Sequence, residues 1–494
     1  MSASGSAGPT DVSYRADRSW LGFGGGPAHM AVATRPARAL TGVAWSTPLD
    51  LDPQYTGTIL YVHYGSPLCT PLNTIVIPVK TGAFDGFKVE GRRGSNGGLL
   101  WTMETDYTLP VHGWVPECGI AITPTMQVLA PGAGGTVLRR SSADSPTGTV
   151  VRQAFFGMAS YGSSVGTYNA NVQINTPITV GPDGTAYFGF VATGPTPANL
   201  VSGIARLDAA GNGTWVSAAT AAGDGNIQQV AHNCAPALSL DGSTLYFGVR
   251  DAGSNGYLLA LNSATLAATG AVRLKDVVSG ADAYVFDDGT SSPMVGPDGD
   301  VYYGVLENPF FSNHLRGWML HFNAGLTQAK LPGAFGWDNT PSVVPASAVP
   351  SYTGSSPYLL FTKYNNYAQA GGDGVNKVAV LDPGTGMVDP VSGATVMQEV
   401  ITIASLTPDP VNTGPGSPNA VKEWCINTAV IDPFTRCAVI GNEDGKLYRW
   451  DFTTNTLSQV LVLTPQLGQA YTPTMIGADG TVYAIHNATL FAVR

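Results

Sequence analysis

Five residues carry the chemistry this sequence can offer: His232 and the carboxylates Glu117, Asp288, Asp338 and Glu423. Each stands just ahead of a short apolar run. Carboxylates brought close together hold a hard cation such as Ca²⁺, or raise one another's pKa and become usable acids and bases. An imidazole beside them adds a group that titrates near neutrality. Ring and amide side chains occupy the same kind of position: Tyr64, Trp114, Asn233, Trp337, Asn339, Trp424 and Tyr471. Two longer stretches, ENPFFSNHLRG (307–317) and KYNNYAQAGGDGVNK (363–377), add Phe311, His314 and Tyr364. Flat aromatic faces next to hydrogen-bonding groups suit a polar, ring-shaped or carbohydrate-like ligand. The competing account is structural. Polar residues ahead of a strand can spend themselves on neighbouring backbone groups, and any one carboxylate here has that alternative.

What must position these residues is a repeat. The phrase TPITVGPDGTAYFGF (176–190) returns as APALSLDGSTLYFGV (235–249), SPMVGPDGDVYYGV (292–305) and TPTMIGADGTVYAIH (472–486). The Asp-Gly pairs begin at 183, 241, 298 and 479, so two intervals are 58 and 57, and the last, 181, is about three more. A period of that size marks a repeat architecture. Within a unit, Asp-Gly accepts the turn of a tight hairpin, the first run is small and suits a crowded inner strand, and the second alternates aromatic and β-branched residues. A third strand follows, as in GYLLALNSATL (256–266), and a fourth completes the unit. Four antiparallel strands repeated radially make an all-β propeller.

Inner strands begin near 70, 119, 175, 234, 291, 340, 426 and 472, which gives eight blades, with seven as the alternative. The division is an N-terminal arm over 1–40, partly flexible, and one propeller domain over 41–494. TGVAWSTPLD (41–50) reads as a strand without a nearby partner, and the chain ends at LFAVR (490–494) with a blade unfinished. The economical solution pairs Ala44, Trp45 and Ser46 with Leu490–Arg494, closing the ring and removing its exposed edges. In such a ring the candidate residues share one face, around the channel mouth. DPGTGMVDP (382–390) reads as a hairpin turn, and Trp45 and Trp450 as packing residues between blades.

Composition narrows the class. The chain has 494 residues, 61 Gly and 35 Pro, which fit many turns, and only 12% charged residues. A net charge of −10 without any Lys/Arg-rich run argues against a nucleic-acid partner. No apolar stretch reaches the ~18 residues of a membrane span. The N-terminus lacks the apolar core of a signal peptide, yet low lysine and abundant Gly, Thr and Ser favour an exported protein, periplasmic or extracellular, over a cytoplasmic one. The cysteines are Cys69, Cys118, Cys234, Cys425 and Cys437, with no CxxC among them. Buried thiols are the plain reading, and a Cys69–Cys118 bridge between neighbouring blades is the alternative. No zinc, P-loop, nucleophile-elbow or EF-hand spacing occurs.

The segment WLGFGGGPAHMA (20–31), followed by repeats of apolar strand, Asp-Gly, aromatic strand and an LxALN-like strand, resembles the bacterial PQQ-like (quinoprotein-type) β-propeller family over residues 20–494. That resemblance implies the fold. PQQ-bearing relatives would show an adjacent Cys–Cys pair and a Ca²⁺-linked catalytic Asp, and this chain has no such Cys pair; Trp424 is the one candidate for a stacking floor. The resemblance therefore comes without a recognisable PQQ site. The expectation is a binding or scaffold propeller with a ligand or protein partner on the channel face and no metal or cofactor. The alternatives are a cofactor-independent lyase or hydrolase acting on a polysaccharide at that face and, behind it, a PQQ/Ca-dependent dehydrogenase.

Overall fold

The structure, a computed structural model, describes residues 19–57, 59–60, 62–113, 115, 118–286, 291–424, 427–465 and 473–494. Four of the recurring Asp-Gly pairs show why this dipeptide repeats. Gly184, Gly242, Gly299 and Gly480 all take φ between +74° and +86°, a conformation that costs a residue with a Cβ. The preceding aspartates each accept a hydrogen bond from the backbone two residues on: Thr185, Ser243, Asp300 and Thr481, at 3.0–3.1 Å. Both halves of the pair therefore have a task in the turn. At Gly299 a Cβ would have room, its nearest neighbour being Ala324 Cβ at 3.9 Å, so Gly299→Ala isolates backbone strain. The substitution is expected to cost ~1–2 kcal/mol in chemical denaturation, and an unchanged midpoint would count against this account of the repeat.

The hairpins build eight blades. Blade one comprises Leu68–Cys69, Thr74–Lys80, Phe87–Arg93 and Leu99–Glu104. Blade two runs from Ala121–Ile122 to Val150–Ala154, blade three from Thr179–Val180 to Gly213–Ser217 and blade four from Ala237–Leu238 to Ala268–Arg273. In blade five, Met294–Val295, Val301–Val305 and Trp318–Phe322 are regular, and the outer edge is covered by bridges from Gly333 to Met319 and from Ala329 to Phe322. Blade six spans Ser342–Pro345 to Thr395–Ala404, and blade seven Val430–Asp432 to Thr456–Val462. Three short helices, Met158–Ser163, Val165–Asn171 and Ala218–Ala222, interrupt the pattern. DPGTGMVDP is not a turn: most of it lies inside the strand Lys377–Val388, bulged between Asp382 and Gly386, and the chain reverses where Asp389 accepts from Ser392 N at 2.7 Å.

Blade eight closes the ring as expected. Met475–Ile476, Val482–His486 and Thr489–Val493 are completed by the N-terminal strand Val43–Pro48. Its register sets Trp45 against Ala492, Ser46 against Phe491 and Thr47 against Leu490. Trp45 also donates through Nε1 to the carbonyl of Gly94 on blade one at 2.9 Å, so it ties the first blade to the last. Trp450 is fully buried and meets Phe361 of blade six.

Residues 19–40 lie against the propeller at its axis. The backbone carbonyls of this segment meet one inner strand after another. Trp20 exchanges two bonds with Cys69 of blade one, and Leu21 accepts from Ile122 of blade two. Pro27 accepts from Leu238 of blade four, Ala28 from Val295 of blade five, Met30 from Val343 of blade six and Ala31 from Ile431 of blade seven. Arg38 N then donates to Gly480 of blade eight. Inner strands end at the axis with one edge unpaired, and this segment satisfies the N–H groups there. The contacts fall beside the Asp-Gly hairpins, so that end of the channel is closed and the opposite face remains for the candidate residues.

Around the axis on that opposite side, backbone groups and short hydroxyl side chains bind blade to blade. Asn233 N donates to Asn175 O, Ser292 N to Thr340 Oγ1, Thr340 N to Asn427 O and Val430 N to Thr474 Oγ1, at 2.9–3.1 Å. Cys69, Cys234 and Cys437 are buried free thiols, so no Cys69–Cys118 bridge forms; Cys425 lies outside the described residues.

Candidate functional site

Two long connections of blades five and six frame the candidate site. The stretch 307–317 joins Val301–Val305 to Trp318–Phe322, and 365–376 joins Tyr358–Tyr364 to Lys377–Val388. The first is fixed at its base. The fully buried carboxylate of Glu307 accepts from Leu315 N at 2.6 Å, Gly317 N at 2.8 Å and Asn313 N at 3.3 Å. Arg316 is buried against Asp389 in a two-pronged ion pair, 2.6 and 3.2 Å. A loop anchored by buried charge holds its tip in place, and the tip carries Phe310 and Phe311, 44% and 55% exposed.

Those rings continue an aromatic row. Phe310 stacks on Tyr284 at 4.9 Å, Phe286 lies 5.5 Å from Phe310, and Trp337 stands perpendicular to Phe286 at 6.0 Å. Where the row meets the axis there is a cleft of ≈ 250 Å³, solvent space included, walled by His232, Tyr284, Phe286, Ser291, Tyr303 and Trp337. Of the predicted residues, His232 and Trp337 meet in this cleft, with Phe311 at the outer end of the row. His314 is drawn away to Asn366, 2.7 Å from its Nδ1.

Beside Trp337 the polar cluster begins. Asp338 takes φ +59° and its carboxylate lies 3.4 Å from Nζ of the buried Lys363, which also sits 5.8 Å over the Phe335 ring. Glu423 and Glu443 hold each other through the backbone: Glu423 N donates to Glu443 Oε1 at 3.2 Å and Glu443 N to Glu423 O at 3.1 Å. Lys422 lies 3.0 Å from Asp409 and 3.4 Å from Glu443. Four carboxylates thus share two ammonium groups. Burial foremost, then the charge of Glu443, pushes the Glu423 carboxyl up to about 8, with Lys363 opposing and Asp409 and Asp338 adding to the rise. Glu443 is raised too, mainly by burial. The two carboxyls titrate together, both displaced upward.

A folded-state Glu raised above its unfolded value binds a proton that the unfolded chain has released. Stability attributable to this pair is therefore greatest at low pH and falls as pH rises from the ordinary Glu range, ~4.3, through about 8. Glu423→Gln is expected to flatten that slope in denaturation midpoints measured from pH 5 to 9. A slope identical to that of the native protein would show that Glu423 is ionised throughout.

The other predicted residues are placed elsewhere or spent on structure. Asn233 and Asn339 belong to the inter-blade belt; the Asn339 backbone exchanges bonds with Ser291 Oγ of blade five at 3.1 and 3.2 Å, and its side chain donates to Thr362 Oγ1 of its own blade at 3.0 Å. Trp424 is fully buried, 0% exposed, with its backbone bound to Asn365. Tyr364 is buried, and burial raises its hydroxyl pKa. Tyr64 is distant, on blade one, bonded to Asp50 beside the buried Asp50–Lys80 pair. Trp114, Glu117, Asp288 and Tyr471 lie outside the described residues. Sequence reading missed Lys363, Lys422, Glu443, Tyr284 and Phe286. The residues flanking Glu423 and the Asn-Glu-Asp-Gly run at 442–445 were a usable signal for the charged members; nothing local marked Tyr284 and Phe286 as surface rings.

No family model and no curated protein matches this chain. Solved structures match it in fold. A europium-containing methanol dehydrogenase aligns with a TM-score of 0.55 at 11% identity, over 95% of this chain and 89% of that one. The quinohemoprotein alcohol dehydrogenase of Comamonas testosteroni gives 0.57 at 11% identity, over 96% and 80%. The quinohemoprotein alcohol dehydrogenase ADHIIG of Pseudomonas putida HK5 gives 0.52 at 12%, over 94% and 75%. These likenesses establish a quinoprotein-like propeller fold. No group of three or more His, Cys, Asp or Glu that could hold a metal exists among the described residues. Asp338, Asp409 and Glu443 already face lysines, and the Trp424 ring is covered. Also among the described residues, no helix is long and apolar enough to cross a membrane.

Proposed function

We propose that this propeller is a non-catalytic binding scaffold whose channel face holds a polar, ring-shaped ligand of the saccharide kind. The observation that carries the reading is the cleft where Trp337, Phe286 and Tyr284 meet His232, immediately beside the Asp338–Lys363 pair. An aromatic wall supplies a stacking surface, and the charged neighbours supply hydrogen-bond partners in both senses. The low charge content and Gly-rich composition support placing the protein outside the cytoplasm as part of the same proposal.

Trp337 is half-buried, so its truncation removes ligand contact without emptying a core. Screening native protein against a saccharide panel by tryptophan fluorescence and calorimetry is expected to find binders. For those, Trp337→Ala weakens binding at least about tenfold, the ~1.4 kcal/mol expected of one lost stacking contact. Binders that ignore the substitution would place the ligand elsewhere, and a panel without binders would remove the saccharide reading.

One observation favours a second reading. A Glu423 that keeps its proton at neutral pH is a ready general acid, as a cofactor-independent hydrolase or lyase would need. Turnover of a bound polysaccharide that falls as pH rises through about 8, and is lost in Glu423→Gln, would establish that reading over simple binding.

A further inference from the structure

An Asn-Gly pair can rewrite its own side chain. Glycine has no Cβ to shield its nitrogen, so that nitrogen can attack the asparagine carboxamide carbon and close a five-membered imide. Every atom of that ring lies within the dipeptide, so no distant contact is needed. The sequence has three such pairs, Asn96-Gly97, Asn212-Gly213 and Asn255-Gly256. Each asparagine sits in a turn between two strands of one blade, so local sequence does not rank them. The fold does.

At Asn96 the nucleophile is already engaged. Gly97 N donates to Arg93 O at 2.8 Å, and Asn96 Oδ1 accepts from Gly98 N at 3.0 Å. At Asn255 the glycine is buried, in a strand with a neighbour on each side, and Asn255 itself is bridged to Tyr284. Asn212 is different. It is exposed, and Gly213 begins the outer strand of blade three, Gly213–Ser217, with no strand beyond it among the described residues. Asp208 N donates to Asn212 O at 2.9 Å, and Ala218 N to Ser202 O at 3.0 Å. Bonded and non-bonded pairs alternate along an antiparallel ladder. Leu207 and Gly213, one step from Asp208 and Asn212, are therefore a non-bonded pair. The Gly213 N–H points off the free edge of the blade, and it has no hydrogen-bond acceptor among the described residues.

We propose that Asn212 is a site of spontaneous deamidation, converted to aspartate and isoaspartate in the folded protein ahead of the other two pairs. Gly213 N gives its proton to hydroxide and bonds to Cγ; the Cγ–Nδ2 bond breaks, and ammonia leaves with a proton from water. Water then opens the imide at either carbonyl. The net change is one water taken up and one ammonia lost, with no oxidant or cofactor. The product alters its own turn. Asn212 binds the Asp208 carboxylate twice, through N at 2.8 Å and Nδ2 at 3.0 Å. That carboxamide foremost holds the Asp208 carboxyl below its usual range. Deamidation replaces the Nδ2 donor by a second carboxylate, so like charges meet where a hydrogen bond was. The site is independent of the channel-mouth reading.

Full-length protein is aged at mildly alkaline pH, and the amide-to-acid mass gain of its three Asn-Gly peptides is followed by mass spectrometry. A second sample is aged in denaturant, where only local sequence acts. In native protein, conversion at Asn212 is expected to be at least about fivefold faster than at Asn96 or Asn255, the factor that one hydrogen bond broken beforehand puts on a rate. In denaturant the three rates draw together. Ageing should also move the Asp208 carboxyl titration to higher pH, a change that Asn212→Gln does not show. A native rate at Asn212 no greater than at the other two pairs, or the same ranking in denaturant, would overturn the proposal. An Asp208 titration that ageing leaves in place would overturn its effect on the turn.

Discussion

Deleting residues 41–50 is expected to abolish the single cooperative unfolding transition. Every blade except the last is made of consecutive chain, so its strands re-form whenever that stretch folds. Blade eight is different: its outer strand Val43–Pro48 comes from the other end of the sequence and pairs with Thr489–Val493. The deletion removes five register pairs, the Trp45–Gly94 bond to blade one and the Asp50 partner of Lys80. At ~1 kcal/mol net per hydrogen bond the paired strand alone is worth on the order of 5 kcal/mol, a large share of the ~5–15 kcal/mol that holds a domain folded. It also bares an edge strand at the joint between first and last blades, where opening spreads round the ring. Asp50→Asn serves as the control, removing the ion pair while leaving the latch. Calorimetry should show one transition for the native protein, one at lower temperature for Asp50→Asn, and a broad or split one for the deletion. A single transition unchanged by the deletion would sink the closure argument.

That closure was legible because it rests on local pattern plus an edge that had to be covered. The Asp-Gly repeat was legible for the same reason: both residues answer to the turn they sit in, so the signal is local. The site was less so. Ahead of each inner strand a polar residue either looks into the cleft or braces the next blade, and the two uses take the same residue types. His232 and Trp337 went to the cleft, whereas Asn233 and Asn339, their immediate neighbours or near neighbours in sequence, went to the belt. Adjacent residues on such a connection point in different directions, and spacing does not say which. Lys363 escaped notice because it lies within a strand, Tyr358–Tyr364, and matters only through Asp338 and Glu423, which arrive from other connections. The path of residues 20–33 was beyond reach for a similar reason. Its glycines and small residues carry no periodicity, and its bonds are made by backbone groups to six different blades.

Breaking the Arg316–Asp389 pair is the second large effect. Asp389→Asn leaves the guanidinium buried, 3% of its side chain exposed, facing a neutral amide. An uncompensated buried charge costs ~3–5 kcal/mol, whereas replacing both partners with apolar residues of similar size can be nearly neutral. The double variant Arg316→Met, Asp389→Leu is therefore expected to be more stable than Asp389→Asn alone. The pH dependence has a definite sign. Arg316 and the Ser392 bonds hold the Asp389 carboxyl below its usual range against the opposing effect of burial, so the stability it contributes is complete above the ordinary Asp pKa, ~3.9. That stability is lost as pH falls through the lower folded value, a loss Asp389→Asn does not show. The functional consequence separates the two variants further. Arg316 binds Asn313 as well as Asp389, and both anchor the loop that holds Phe310 and Phe311 out at its tip. The apolar pair restores the charge balance but not the Asn313 bond. It should recover most of the denaturation midpoint while leaving the loop looser, which amide exchange at 313–317 would report as faster than in the native protein. A double variant as unstable as Asp389→Asn would mean that the pair is needed for its bonds and not merely for its neutrality.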